Sequence, residues 1–128
     1  MLDILQYTHM RKLFFLLAVL FTGVVAFSQQ RVSADSLRYY EGKVITVCQK
    51  ITDTFVTKGT EKTTFLNFGN FPYQLFTGII FQEHLSNFSY DPAERLKGKN
   101  VCIVGDVRMM NGSAEIIIEK EEQIQVLD

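Results

Sequence analysis

Alternating apolar and polar residues, interrupted by Gly, Pro and Asn, dominate the chain from residue 44 onward. Alternation with a period of two is the pattern of a strand that buries one face. It predicts five strands, at residues 44–55, 63–68, 76–81, 100–107 and 114–119. The Asn111-Gly112 pair predicts a tight turn between the last two strands. The chain is therefore expected to be all-β.

The segment between the third and fourth predicted strands has a different pattern. Residues 83–88 and 92–96 are predicted to form short helical turns, with Asp91 as the cap in front of Pro92. The expected order is thus three strands, a short helical connection and two strands. Parity within the strands predicts a barrel core of Ile45, Val47, Ile51, Leu66, Ile79, Val101, Ile103, Val107, Ala114, Ile116 and Ile118.

The first 28 residues have the layout of an export signal. Arg11 and Lys12 precede an apolar run, Leu13–Phe27, and Ala26 and Ser28 supply the small residues of a cleavage site. The run is shorter than the roughly 20 residues of a membrane span, although an uncleaved anchor is the alternative. We expect a signal peptide at residues 1–28, with Met10 as the true start, a lead-in at 29–38 and one domain at 39–128. The expected location is the periplasm or the outside of the cell.

The two cysteines of the chain lie in matching strand openings, GKVITVCQKI at 42–51 and GKNVCIVGDV at 98–107. Parity places Cys48 and Cys102 on the face opposite the Ile and Val side chains of their strands. In an exported protein, two cysteines that meet across paired strands are expected to oxidise, and two independent reduced thiols are the alternative. No metal site and no cofactor are predicted, because His84, the one histidine beyond residue 28, has no ligand spacing around it.

The net charge of the predicted domain indicates which kinds of nucleic-acid partner to expect. Residues 1–28 hold two of the 13 Lys and Arg and one of the 14 Asp and Glu, so the remaining 100 residues carry a formal net charge of −2. Proteins that grip duplex nucleic acid through its phosphates usually show a basic surface. The balance therefore argues against tight, sequence-independent duplex binding, and leaves room for a local groove.

The strand order and its residues resemble the OB-fold, a five-stranded Greek-key barrel. The resemblance is to small nucleic-acid-binding-like domains of exported bacterial proteins, some of them attached to nuclease modules, and it spans residues 39–124. Gln49 departs from the pattern, since such domains commonly have Gly after the first cysteine. The resemblance rests on Tyr40, Gly42-Lys43, Thr46-Val47-Cys48, Thr64–Gly69, Phe81, Leu96, Gly98-Lys99, Val101-Cys102, Gly105 and Glu115-Ile116-Ile117.

OB barrels commonly bind ligands across their second and third strands, between the loop that joins strands one and two and the loop that joins strands four and five. By position these loops are residues 58–62 and 109–113. Rings on such a face can stack bases, and cations beside it can meet phosphates. Each ring could instead pack in the core, and each cation could simply be solvated. The implied nucleic-acid contacts are Lys58, Lys62, Phe65, Phe71, Tyr73, Phe81, Arg108 and Asn111.

Two functions are compatible with the sequence. The first is an exported OB module that binds single-stranded DNA or RNA weakly. The second is an envelope module that binds a protein, a saccharide or a small charged ligand, since the same fold serves many ligands. An enzyme is not expected, because the residues near His84 offer no nucleophile at a recognisable spacing.

Overall fold

A computed structural model of the chain describes residues 2–20, 29–70 and 72–128. One long helix precedes seven strands, and three short 3₁₀ helices and a second α-helix connect the strands. The elements are α1 (Leu2–Leu20), β1 (Arg31–Val32), a 3₁₀ helix (Ala34–Tyr40), β2 (Val44–Val56), β3 (Thr64–Phe68), β4 (Phe76–Ile80), a 3₁₀ helix (Gln82–Asn87), α2 (Pro92–Leu96), β5 (Asn100–Met110), β6 (Ser113–Ile117), a 3₁₀ helix (Glu121–Gln123) and β7 (Ile124–Val126).

Five of the strands close into a barrel. The neighbours run β2, β3, β4, β6 and β5, and β5 pairs again with β2 to complete the ring. All pairings in the ring are antiparallel except that of β4 with β6, which is parallel. With the helical segment between β4 and β5, this is the topology of the OB-fold, as the sequence predicts. The two short strands β1 and β7 extend the sheet outside the ring.

The long strand β2 bends and therefore pairs with two different strands of the barrel. Its first half pairs with β5 and its second half with β3, and the register shifts between Ile51 and Asp53. The hydroxyl of Thr52, the extra residue, lies 2.6 Å from the carbonyl oxygen of Gly69 and donates to it. Gln49 stays in register opposite Val101. The curvature of β2 is thus produced by a β-bulge three residues after Gln49.

The disulfide predicted from strand parity is present at the seam of the barrel. Cys48 and Cys102 are direct partners in the β2–β5 register and are bonded, with their Cα atoms 4.0 Å apart. The guanidinium of Arg31, on β1, lies 3.9 Å from the sulfur of Cys102. The alternative of two separate thiols is therefore excluded.

The core confirms the parity argument for every strand except β4. Every residue of the predicted core list is buried, but Ile79 faces the outside of the barrel while Phe76 and Ile80 face the inside, so the prediction that Ile79 lies in the barrel core is wrong. Phe68 and Phe76 fill the barrel from neighbouring strands, with their rings stacked and the centroids 4.1 Å apart. Leu37, in the segment predicted as a lead-in, is also buried in the core. The Asn111-Gly112 turn has positive φ at both residues, as a primed hairpin turn requires.

The N-terminal helix leaves the export prediction untested. Residues 21–28, which contain the expected cleavage site, lie outside the described residues. Within residues 2–20, 29–70 and 72–128, no helix has both the length and the apolar character needed to cross a membrane.

Gln123 joins β5 to β6 where the two strands diverge. Its side-chain NH₂ group donates to the carbonyl of Val104 at 3.0 Å and lies 3.4 Å from that of Ile117. Its side-chain oxygen accepts from the backbone N–H groups of Glu119 and Lys120. One amide thus satisfies the backbone of three segments.

Removing this amide is expected to destabilise the barrel. Gln123→Ala leaves part-buried backbone groups without a partner, which costs about 1 to 3 kcal/mol of unfolding free energy. Gln125→Ala is the matched control, because Gln125 is exposed on β7. Urea unfolding of both variants measures the difference, and equal midpoints would show that the Gln123 bonds contribute nothing net.

Candidate nucleic-acid interface

A row of apolar side chains crosses the outside of the barrel. Phe55 on β2 is the register partner of Phe65 on β3, Phe65 is the partner of Ile79 on β4, and Ile79 is the partner of Ile117 on β6. Phe65, Ile79 and Ile117 alternate along their strands with buried residues and therefore point outward, and Phe55 points outward as the register partner of Phe65. These four residues are called the apolar row below. The rings of Phe55 and Phe65 lie 6.2 Å apart at a tilt of 36°.

The middle of the apolar row is closed to water. Ile79 is 5% exposed although it faces outward, and it is flanked by Phe65 and Ile117 on the two neighbouring strands. Phe55, at one end of the row, is 55% exposed. The row is therefore a packed floor with an open aromatic edge, which is the form of a stacking platform.

A second row, polar in character, runs parallel to the first. Its members, called the polar row below, are Asp53, Asn67, Thr77, Glu115 and Arg108, each the register partner of the next. The two rows are two residues apart along every strand they share, or about 7 Å. A planar ligand on the apolar row would thus have polar groups along one of its edges.

The outer end of the polar row is an ion pair. The ammonium of Lys97 lies 2.9 Å from a carboxylate oxygen of Asp53. Both side chains are well exposed, and the hydrogen bond from Lys97, with a further one from the backbone of Thr54, lowers the pKa of Asp53 below its usual value. Because Lys97 neutralises Asp53, the β2 edge of the outer face repels a phosphate little.

The loop between β2 and β3 holds two predicted contacts, Lys58 and Lys62, at the end of the strands nearest the apolar row. Its ends are tied together, since the N–H of Thr57 donates to the carbonyl of Thr63 at 3.0 Å. The N–H of Lys62 also donates to the side-chain oxygen of Gln82 at 2.6 Å. The base of the loop is therefore held in place, and both lysine side chains are exposed.

Phe81 lies between Lys62 of the β2–β3 loop and Arg108 of β5. It is 38% exposed and lines a cleft with Lys62 on one side. On the other side it lines a cleft of about 570 Å³ together with Ile117 and Arg108. The structure thus brings Lys62, Phe81 and Arg108 to one continuous surface beside the apolar row.

The remaining predicted contacts lie at the opposite end of the strands. Asn111 is exposed in the turn between β5 and β6, beyond the polar row. Tyr73 is 84% exposed in the β3–β4 loop, whose path depends on Gly69: a Cβ on Gly69 would lie 2.8 Å from the carbonyl oxygen of Tyr73. Phe71 lies outside the described residues. Asn111 and Tyr73 therefore do not share the loop end with Lys58 and Lys62.

Sequence reasoning missed two members of the apolar row, Phe55 and Ile117. Strand parity pointed the wrong way for Phe55, because Phe55 is four residues from Ile51, a predicted core residue, and only the bulge at Thr52 turns it outward. Parity placed Ile117 outward, opposite to Ile116 and Ile118, but its place in the row depends on the parallel pairing of β6 with β4.

Comparison with solved structures agrees with the barrel topology. The chain aligns with the yeast Stn1 and Ten1 structure at a TM-score of 0.55 and 11% identity, over 84% of this chain and 67% of that one. It aligns with an aspartyl-tRNA synthetase from Entamoeba histolytica at a TM-score of 0.50 and 14% identity, over 83% of this chain. The chain spans 23% of that synthetase.

A further alignment is with the second OB-fold domain of replication protein A from Methanococcus maripaludis. Its TM-score is 0.44 at 16% identity, over 76% of this chain and 96% of that one. No protein-family model matches the chain, and no curated protein matches it. At these identities, the likeness to the Stn1 and Ten1 structure and to the synthetase shows the fold alone.

Proposed function

We propose that the chain is an exported OB-fold module that binds single-stranded nucleic acid weakly. The observation that carries the proposal is the apolar row, whose exposed rings and packed floor lie on the strands β2, β3, β4 and β6. Unpaired bases stack on such rings whatever their sequence, because every base has a π-face. The proposal includes no catalytic step.

The charges around the rows explain why the binding should be weak. Lys58 and Lys62 flank the loop end of the face and Arg108 lies beside Phe81, so at most a few phosphates find a cation. Glu115 in the polar row and Asp106 in the cleft beside Phe81 oppose a longer polyanion. Affinity must therefore come mostly from stacking.

The disulfide supports the exported part of the proposal. Disulfides persist in oxidising compartments such as the periplasm and the outside of the cell. The bond between Cys48 and Cys102, together with the layout of residues 1–28, agrees with release of the barrel into one of those compartments.

The salt dependence of binding tests the proposal. A labelled oligothymidine titrated with protein lacking residues 1–28 should bind at low salt and weaken as salt rises. Single strands give a slope of about −0.7 per phosphate contact in a double-logarithmic plot, so three cations predict a slope near −2. Lys58→Ala with Lys62→Ala should bring the slope to about −0.7.

A double variant with the same charge change provides the control. Lys50 and Arg38 are exposed and lie on neither row, so Lys50→Ala with Arg38→Ala should leave the slope near that of the unaltered protein. If oligothymidine does not bind at low salt, the proposal is wrong. If both double variants change the slope equally, the β2–β3 loop is not where phosphate lies.

A small charged ligand is the second candidate function. The cleft beside Phe81 is lined by three acidic residues, Glu83, Asp106 and Glu119, and by the basic residues Arg108 and Lys120. Such a mixture suits a molecule with charges of both signs better than a polyanion. Failure of the oligothymidine titration would favour this candidate.

A further inference from the structure

Glu115 occupies the fourth of the five positions in the polar row. It is half-buried on β6, with Thr77 as its partner on one side and Arg108 on the other. The side chain of Arg108 lines the cleft beside Phe81, which Glu115 does not line. Within the described residues, the side-chain ion pairs are Glu83 with His84 and Asp53 with Lys97, so the carboxylate of Glu115 is in none of them.

A carboxylate in this place restricts what a bound strand can present to it. A phosphate would be repelled, because both groups are anionic. A base that lies over the half-buried Ile117 would place one edge toward Glu115, about 7 Å away along β6. A distance of about 7 Å accommodates the part of the base that extends beyond the apolar row and one hydrogen bond from the base edge to the carboxylate. The group that meets Glu115 is therefore a base edge.

The chemistry of a carboxylate then selects among bases, since an ionised carboxylate accepts hydrogen bonds and donates none. The Watson–Crick edge of guanine carries two adjacent donors, N1–H and the N2 amino group, which match two carboxylate oxygens. The donor of adenine or cytosine on this edge stands beside a ring nitrogen that repels the carboxylate. In thymine and uracil the N3–H donor lies between two carbonyl oxygens.

We infer that Glu115 makes the module prefer a guanine at the Ile79–Ile117 part of the apolar row. The inference rests on the proposed function, because it concerns the same face. It adds a base-reading residue to a surface that otherwise binds by stacking. A carboxylate that merely solvates the outside of β6 would produce no difference between bases.

Hexathymidylate probes that carry one central substitution test the inference. A single guanine should bind about tenfold tighter than the all-thymidine probe, as expected for one bidentate contact to a base. Hypoxanthine, which lacks the N2 amino group, should fall between the two. Glu115→Gln should bring the guanine and thymidine probes to within about twofold of each other, because the amide loses the paired acceptors.

Glu122→Gln is the matched control. It removes the same charge from an exposed residue in the 3₁₀ helix after β6, outside both the polar row and the cleft beside Phe81, and should preserve the guanine preference. Equal affinity of the unaltered protein for all probes would overturn the inference and leave the proposed function standing. A preference that survives Glu115→Gln would also overturn it. If no probe binds, the proposed function falls and the inference falls with it.

Discussion

Truncation of the two rings at the open edge of the apolar row should remove most of the affinity for single-stranded nucleic acid. Stacking is worth about 1 to 3 kcal/mol per base, so Phe55→Ala with Phe65→Ala should weaken oligothymidine binding by at least about 30-fold. The loss should be similar at low and at moderate salt, because rings and not charges have been removed. Fluorescence anisotropy of the labelled oligomer measures it.

The control for this variant is another exposed ring. Tyr39 is 75% exposed in the 3₁₀ helix before β2, away from both rows, and Tyr39→Ala should leave affinity unchanged. Far-UV circular dichroism and thermal unfolding check that the double variant still folds, since Phe65 is half-buried. A folded double variant that binds as well as the unaltered protein would move the binding face elsewhere on the barrel.

Loss of the disulfide should cost the barrel a large share of its stability. The bond between Cys48 and Cys102 joins residues 54 apart in sequence. In the chain-entropy model, a loop of this size stabilises the folded state by about 4 kcal/mol. Since small domains are stable by about 5 to 15 kcal/mol, Cys48→Ser with Cys102→Ser should come close to unfolding at 37 °C.

Urea unfolding with and without a reductant measures this contribution. The unaltered protein in reductant should resemble the double serine variant, and that variant should not respond to reductant. If the urea midpoint of the double serine variant shows a loss of less than about 1 kcal/mol, the pairing of β2 with β5 holds the barrel closed without the disulfide.

Much of the fold was predictable from local pattern. Strand parity identified the buried residues of four of the five predicted strands and placed Cys48 and Cys102 on corresponding faces of their strands, because a side-chain period of two leaves one choice of face. The Asn111-Gly112 turn was predictable for a similar reason, since a primed turn needs positive φ at both positions. These features depend on residues close together in the chain or on the match between two strands.

The site was less predictable, because four strands assemble it. Ile79 was expected in the barrel core, but it is buried on the outer face of the barrel, between Phe65 and Ile117 of the neighbouring strands. The Asp53–Lys97 pair joins β2 to the residue after α2, which no local pattern connects. The bulge at Thr52 was also invisible, since a β-branched polar residue gives no sign of an extra position.

The covalent bond at one seam makes the barrel's resistance to opening unequal around its circumference. β2 and β5 cannot separate near Cys48 and Cys102, so partial opening is expected to start across the ring, where no disulfide joins β3 to β4. That hairpin contributes Phe65 and Ile79 to the apolar row. The surface assigned to ligand thus coincides with the least constrained strands, and an occupant there would slow their amide exchange most.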